Sequence, residues 1–75
     1  KSVQMFLTDC SYSSSVDDYQ KIKDLYREYK EFCFENGNKP FNRMNFGKQL
    51  AALNIRTKLI NVGNVAYLSS NRNAF

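Results

Sequence analysis

Histidine and tryptophan are absent from this sequence, and proline occurs once, cysteine twice and glycine three times in 75 residues. A structural zinc site needs about four Cys or His ligands, and Cys10 and Cys33 are too far apart in sequence to form a CxxC pair. We therefore predict that the domain holds no metal and no other cofactor. Both thiols lie among apolar residues, which favours two buried, reduced cysteines, with a disulfide between them as the alternative.

Signatures of catalysis are missing as well. The sequence has no histidine, no phosphate-binding glycine loop and no pair of carboxylates in its basic second half, so nothing in it supports a catalytic site. It also has no run of about 18 apolar residues, and polar residues flank the short apolar stretch 5–7. We predict a non-catalytic, cytoplasmic domain that has no membrane partner.

Length and composition fit one small domain. A chain of 75 residues, 43% of them hydrophobic, can bury one core and is too apolar for a disordered tail. Because the sequence begins with Lys1 rather than Met, we expect a fragment of a longer protein.

Carboxylates are missing from the second half of the chain. Residues 1–36 carry five basic and seven acidic residues, a net charge of −2, whereas residues 37–75 carry six basic residues and no acid, a net charge of +6. The acid-free segment 37–75 favours a polyanionic partner, and a solvated basic surface without a partner is the alternative. Its basic residues are Lys39, Arg43, Lys48, Arg56, Lys58 and Arg72.

Apolar spacing predicts two helices in the first half. A stripe at i, i+3, i+4 and i+7 predicts a short first helix, which stops at the polar loop 11–15. The second helix has a broad apolar face and ends at Asn36 and Gly37, because glycine suits a left-handed residue after a helix. The apolar positions are Val3, Phe6, Leu7 and Cys10 in the first helix, and Ile22, Leu25, Tyr26, Tyr29, Phe32 and Cys33 in the second.

A third helix follows the turn at residues 37–40. Pro40 prevents the second helix from continuing, and Asn42 has the position of an N-cap. Phe41 and Phe46 have the spacing of a hydrophobic staple across that cap. The helix is predicted to run to about residue 53 and to end at Asn54. Its predicted core residues are Phe46, Leu50 and Leu53.

Beyond this helix the apolar period changes to that of strands. Ile55, Thr57 and Leu59 alternate with residues 56, 58 and 60, a turn follows at residues 61–64, and residues 65–68 form a second strand. Together these segments predict a β-hairpin. A short strand near Tyr19 is also compatible with the pattern, and the polar tail from Ser69 onwards is expected to fray.

The predicted order is helix, short strand, helix, turn, helix and hairpin. Two helices joined by a short turn make a helix-turn-helix, and a hairpin directly after them makes a wing. We therefore predict an α+β fold, a small winged helix with three helices, that forms a single domain over residues 1–75.

A second face of the third helix carries the candidate functional residues. Four of them fall at i, i+3, i+4 and i+7, mostly opposite the core stripe: Asn45, Lys48, Gln49 and Ala52. Arg43 lies in the first turn. Asn and Gln can pair with adenine, Arg and Lys with guanine or phosphate, and a small Ala allows close approach to a groove. This pattern predicts DNA contact, and an ordinary polar helix face is the alternative.

The hairpin carries two further candidates, Arg56 and Lys58, on the face opposite Ile55. A wing of this kind contacts phosphate or a neighbouring minor groove, which positions the module without specifying sequence. Two solvated strand residues are the alternative. We expect Lys21 and Arg27, which belong to the acidic half of the chain, to contribute almost nothing to DNA binding.

The second helix and the segment after it also carry a family resemblance. Residues 25–33 read LYREYKEFC and resemble the pattern LYxxYxx[WF]C, and they are followed by ENG at 35–37, KP at 39–40 and NFGKQL at 45–50. In this order the motifs resemble the C-terminal domain of phage, plasmid and poxvirus-type primase-helicases. The first helix and the hairpin through Tyr67 and Leu68 fit too, so that the resemblance covers nearly all of residues 3–68.

The resemblance implies a winged helix at the C-terminal end of a replication protein, with a primase and a hexameric superfamily 3 helicase upstream in the same chain. The implied partners are DNA, single- or double-stranded, and those upstream domains, in the bacterial cytoplasm or at a replication site in a host cell.

The hairpin tip at residues 61–64 is less basic than the family often shows, which weakens the prediction of a wing contact. The expected function is a DNA-binding accessory domain, and the alternative is a protein-interaction module that recruits a replication partner.

Overall fold

The structure, a computed structural model that describes residues 2–70, combines α-helices with short antiparallel strands. The helices are α1 (Ser2–Asp9), α2 (Ile22–Glu35) and α3 (Arg43–Ala52). The strands are β1 (Tyr12–Ser14), β2 (Gln20–Lys21), β3 (Thr57–Ile60), β4 (Gly63–Ala66) and β5 (Leu68–Ser70). Residues 2–70 therefore form a small α+β domain with three helices, which confirms that part of the predicted fold.

The ends of α2 and α3 are closed by residues in the left-handed conformation. Gly37 has φ 70° and Asn54 has φ 66°. At both ends, a backbone N–H from just beyond the cap residue donates back to a carbonyl in the last turn of the helix. The distances are 2.8 Å after α2 and 3.0 Å after α3. This Schellman arrangement satisfies carbonyls that would otherwise lack a donor. Both predicted helix ends are confirmed.

The start of α3 has the predicted N-cap. The side-chain oxygen of Asn42 accepts a hydrogen bond from the Asn45 N–H at 2.8 Å, which satisfies one of the free donors of the first turn. Phe41, before the cap, packs against the core, and Phe46, in the helix, is fully buried within it. Both residues of the predicted staple therefore belong to the apolar interior.

Aromatic rings fill the space between the helices. Phe46 stacks on Tyr29 with ring centroids 4.7 Å apart, and Phe6 meets Tyr29 edge-on at 5.7 Å. Such stacked and edge-on contacts add to the stabilisation from burying the rings. The aromatic stripe of α2 is thus a core face, as predicted. The buried helical residues are Val3, Phe6, Leu7, Ile22, Leu25, Tyr29, Phe32, Cys33, Phe46 and Leu50.

The described strands form two antiparallel sheets. β4 lies in the centre of a three-stranded sheet with the order β2-β4-β3, and β1 pairs with β5. Val65 of β4 is paired with Lys21 on one side and with Lys58 on the other. Paired residues point to the same face of a sheet, and successive residues point to opposite faces. Because Ala66 lies in the core cluster, Val65 and the two lysines lie on the face turned away from it.

The strand positions differ from the prediction in five places. The first strand of the hairpin begins at Thr57 rather than at residue 55. The loop predicted at residues 11–15 contains β1, and the strand predicted at residues 65–68 is divided between β4 and β5, on either side of Tyr67. The turn has two residues, 61 and 62, rather than four. The tail from Ser69 belongs to β5 through Ser70, whereas residues 71–75, with the predicted basic residue Arg72, lie outside the described residues. The short strand near Tyr19 is confirmed as β2.

Burial differs from the prediction at four positions. Thr57 and Leu59, predicted to share the buried face of Ile55, are exposed, because nearly all of β3 meets solvent on both of its faces. Leu53 and Cys10 are half-buried at the rim of the core, since each lies just beyond the end of a helix. Within residues 2–70, Cys10 and the buried Cys33 are not joined by a disulfide.

Candidate nucleic-acid interface

One side of α3 is turned to solvent along its whole length. A helix turns by about 100° per residue, so residues 44, 48 and 51 lie on one line and residues 45 and 52 lie beside them. Gln49, also predicted for this site, is half-buried at its edge. No Asp or Glu occurs in α3. We name the exposed set the α3 outer face: Met44, Asn45, Lys48, Ala51 and Ala52.

One apolar member of this surface, Met44, was not predicted from the sequence. Met44 is 71% exposed, and Ala51 is exposed beside the predicted Ala52. The signal was available, because Met44, Lys48 and Ala51 have the helical spacing i, i+4 and i+7. The α3 outer face therefore combines one cation and one amide with three apolar side chains.

Arg43 belongs to a different surface. It lines a cleft with three cations from α2, namely Lys23, Arg27 and Lys30, and with the ring of Tyr26. We name these five residues the basic cleft. The three α2 residues have the helical spacing i, i+4 and i+7, so that their common face could have been predicted from the sequence. Their proximity to Arg43 could not, because it depends on how α3 docks on α2.

Two tyrosine hydroxyls of α2 explain that docking. The Tyr26 hydroxyl donates to the Phe41 carbonyl at 2.9 Å, and the Tyr29 hydroxyl accepts from the Phe41 N–H at 3.0 Å. Both bonds hold the start of α3 beside the middle of α2. Arg43, two residues after Phe41, is thereby placed beside the α2 cations. Burial raises the pKa of Tyr29 above the ordinary value near 10, so its hydroxyl stays protonated to a higher pH than that of an exposed tyrosine.

The cations of the basic cleft are only weakly engaged within the protein. Arg27 forms an ion pair with Asp24 at 2.8 Å, and both side chains are well exposed. An exposed pair of this kind contributes little and exchanges easily for another anion. The ammonium of Lys30 lies 5.3 Å from the centroid of the Tyr26 ring, a cation–π distance. These contacts orient the cations without neutralising the cleft.

Arg56 and Lys58 lie on a third surface, the outer face of the three-stranded sheet. The guanidinium of Arg56 lies 5.9 Å from the centroid of the Tyr67 ring, and Tyr67 meets Tyr19 edge-on at 5.9 Å. Lys58 lies across β4 from Lys21, with Val65 between them. Sequence analysis did not include the tyrosines or Lys21. Val65 itself is fully buried. We name the side chains around it the outer sheet face: Tyr19, Lys21, Arg56, Lys58 and Tyr67.

Four of the seven acidic residues gather on a separate side of the molecule. Four carboxylates line one cleft between α1 and α2, and the Tyr12 hydroxyl donates to one of them, Glu28, at 2.8 Å. α2 thus presents cations on one face and carboxylates on another, and charge is divided by face rather than by half of the chain. We name these carboxylates the acidic face: Asp9, Glu28, Glu31 and Glu35.

The same division bears on Lys21 and Arg27. They were expected to contribute almost nothing to DNA binding, because they belong to the acidic half of the chain. Lys21 instead neighbours Lys58 through Val65, and Arg27 shares the basic cleft with Arg43. Net charge along a sequence does not resolve the faces of a helix or the partners of a strand.

The sequence matches the Poxvirus D5 protein-like family model over residues 2–73, which is nearly the whole chain. The chain belongs to this family. Membership supports the coarser prediction, a replication-related domain of the primase-helicase type. Searches of curated proteins and of solved structures give no significant match to this D5-like chain.

Two further features of the D5-like chain bear on its chemistry. Among residues 2–70, no cluster of three or more His, Cys, Asp or Glu side chains has the arrangement to hold a metal ion. None of the helices in that range is both long and apolar enough to cross a membrane. Membership in the family is consistent with a non-catalytic accessory domain of a larger primase-helicase.

Proposed function

We propose that this domain is a winged helix that binds DNA as an accessory domain of a primase-helicase, with the primase and helicase domains upstream in a longer chain. The element order supports the proposal, because α2 and α3 are joined by a short turn and the β3–β4 hairpin follows directly. β2 joins that hairpin to complete the three-stranded sheet. In this assignment α3 is the recognition helix and the hairpin is the wing.

The observation that carries the proposal is the α3 outer face. Asn45 and Lys48 are exposed on it, at the position where a recognition helix meets the major groove, and no carboxylate on α3 opposes a phosphate. Asn can pair with adenine and Lys with guanine or phosphate. The small Ala51 and Ala52 allow the helix to approach the groove closely.

The basic cleft adds contacts to the DNA backbone in this proposal. In a helix-turn-helix the first helix crosses the backbone beside the groove, and α2 takes that place here. Arg27 and Arg43 can each grip a phosphate with two parallel hydrogen bonds. A phosphate bound there would also relieve the repulsion among the four cations that the fold holds together. Arg56 and Lys58 supply the wing contact.

A titration of one duplex at several salt concentrations tests the proposal. If three to five phosphates are neutralised, log K should fall against log salt with a slope of about −3 to −4.5. Lys48→Ala should weaken binding, either by reducing the slope by about 1 or by relaxing a base preference. Lys48→Arg, which keeps the charge, is the matched control and should retain the affinity.

One observation favours a second candidate function, a protein-interaction module. Met44 is 71% exposed on α3, and Leu59 and Val62 of the hairpin are exposed to 72% and 53%. Exposed apolar side chains of this kind can anchor a partner protein. The same titration separates the candidates, because a module of this type shows no salt-dependent DNA binding and keeps its partner when Lys48 is replaced by Ala. A flat salt response therefore favours this second candidate.

A further inference from the structure

The outer sheet face combines aromatic rings with cations in one exposed surface. Arg56, Tyr67 and Tyr19 lie in a row, each 5.9 Å from the next. Tyr19 is 48% exposed and Tyr67 is half-buried, so the row ends in a ring that is open to solvent. Lys21 and Lys58 flank the row on the same face, on the two sides of β4.

The fold holds this row in place through its backbone. The Tyr67 N–H donates to the Arg56 carbonyl at 2.8 Å, and the Ser15 N–H donates to the Tyr67 carbonyl at 3.1 Å. Tyr67 therefore bridges the strands of the larger sheet and the segment that leaves β1. These bonds fix the main chain that carries the middle ring of the row.

We infer that the outer sheet face binds single-stranded nucleic acid, with an unpaired base stacked on Tyr19 and the backbone phosphates beside Lys21, Arg56 and Lys58. Proteins that bind single strands combine such cations with aromatic rings, because every base has a face that can stack. A duplex does not fit this chemistry, since its bases are already stacked on one another. The inference goes beyond the proposed duplex contact of α3 and the wing, because it assigns a stacking site on Tyr19 and another form of nucleic acid. Arg56 and Lys58 are shared by the two surfaces, whereas Tyr19 and Lys21 take no part in the duplex contact.

Charge sets the direction of the strand across this surface. Asp17 and Asp18 belong to the loop before Tyr19, where both of their N–H groups donate to the Ser15 hydroxyl, at 3.3 and 3.0 Å. Their carboxylates disfavour phosphates at that edge. A strand stacked on Tyr19 should therefore extend across the sheet toward Lys58.

A tryptophan reporter tests the stacking directly, because the sequence contains no tryptophan. In the Tyr19→Trp variant, a thymidine oligonucleotide should quench the indole fluorescence by stacking on the ring. The matched control is Met5→Trp on α1, where the replaced side chain is 51% exposed and lies beside Asp9 of the acidic face. The control should show no quenching.

Affinity supplies the second measurement. Tyr19→Ala should weaken binding of the oligonucleotide about tenfold, within the range measured for loss of one stacked base. Tyr19→Phe should retain the affinity, because the ring and not the hydroxyl makes the contact. Neither change should alter the affinity for duplex, which depends on α3. If Trp at position 19 is not quenched, or if Tyr19→Ala binds the oligonucleotide as the parent does, the inference is wrong.

The two proposals fail in different ways. If Lys48→Ala loses binding to the duplex but still binds the oligonucleotide, the two surfaces are separate and both proposals are supported. Absence of duplex binding together with quenching at position 19 overturns only the function proposed for α3. Duplex binding without any binding of the oligonucleotide overturns only the inference about the outer sheet face.

Discussion

Tyr29 joins the three helices through one side chain. It lies on α2, its hydroxyl is 2.8 Å from the Ser2 hydroxyl of α1, and it accepts the Phe41 N–H just before α3. Its ring also stacks on Phe46. A single residue thus fixes both the packing of the core and the docking of α3 that creates the basic cleft.

Tyr29→Phe should lower the free energy of unfolding by about 1–2 kcal/mol at neutral pH, because the Phe41 N–H loses its acceptor while the ring contacts remain. The hydroxyl also makes stability depend on pH. Burial raises its pKa in the folded state above the ordinary value near 10. Its contribution is therefore complete below pH 10 and is lost as the pH rises through the raised pKa.

Urea unfolding of the parent and of Tyr29→Phe at neutral pH and above pH 10 measures both effects. The parent should lose more stability than the variant over that interval, since only the parent carries the Tyr29 phenol, whose pKa is raised by folding. Equal losses in the two proteins would show that the Tyr29 hydroxyl is solvated in the folded state.

Elements with a helical period could be predicted closely, because their signals are local. The apolar stripe of α2, the Asn42 cap and the left-handed residues at 37 and 54 each depend on neighbours within a few positions. The small strands could not be placed with the same precision. β1 and β5 are three residues each, rich in serine, and they pair Tyr12 with Ser70 across the whole length of the domain.

In the candidate site, too, local patterns could be predicted and long-range contacts could not. The line of the α3 outer face is a local pattern, and its polar members could be predicted from the sequence. The partners of Arg43 and Lys58 could not, because the first depends on the hydrogen bonds to Phe41 and the second on the register of β4. Long-range packing therefore decided which cations act together.

The third helix should depend on Phe46 for its attachment to the core. Phe46 is fully buried and contacts the rings of Tyr26 and Tyr29, with centroids at 5.4 and 4.7 Å. Phe46→Ala should cost about 3–5 kcal/mol through lost burial and the cavity left behind. A domain this small has little more stability than that, so the variant should be largely unfolded at room temperature.

Phe34→Ala is the matched control for this change. It removes the same side chain from α2, where the ring is 78% exposed, and it should leave the melting temperature nearly unchanged. Thermal unfolding followed by circular dichroism compares the two variants. Similar melting temperatures for Phe46→Ala and the parent would mean that the buried face of α3 is assigned wrongly.

On the scale of the whole molecule, the faces differ in charge far more than the net charge of +4 suggests. The basic cleft and the outer sheet face carry seven cations and the α3 outer face carries Lys48, whereas the acidic face lies between α1 and α2. Fields from exposed charges decay over about 8 Å at physiological salt, and the molecule is 20 Å across in its shortest direction. The affinity of a nucleic acid bound at the basic cleft or the outer sheet face should therefore depend on nearby charges and hardly at all on those of the acidic face.

Three double variants test this whole-molecule prediction, because each lowers the net charge by two, from +4 to +2. Lys23→Ala with Lys30→Ala removes two cations of the basic cleft. Arg56→Ala with Lys58→Ala removes the wing cations. The control, Gln4→Glu with Thr8→Glu, adds two carboxylates at exposed positions of α1 that share a cleft with Asp9.

Binding of one duplex should be measured for all three at several salt concentrations, after thermal unfolding has shown that each variant is folded. Loss of two phosphate contacts should reduce the slope of log K against log salt by about 2 in the cleft variant, and by up to that amount in the wing variant. The control should keep the slope of the parent, since its new charges line a cleft with Asp9 and belong to none of the basic surfaces. If the control weakens binding as much as the cleft variant, the overall field of the protein attracts the DNA, and neither α3 nor the basic cleft is its docking surface.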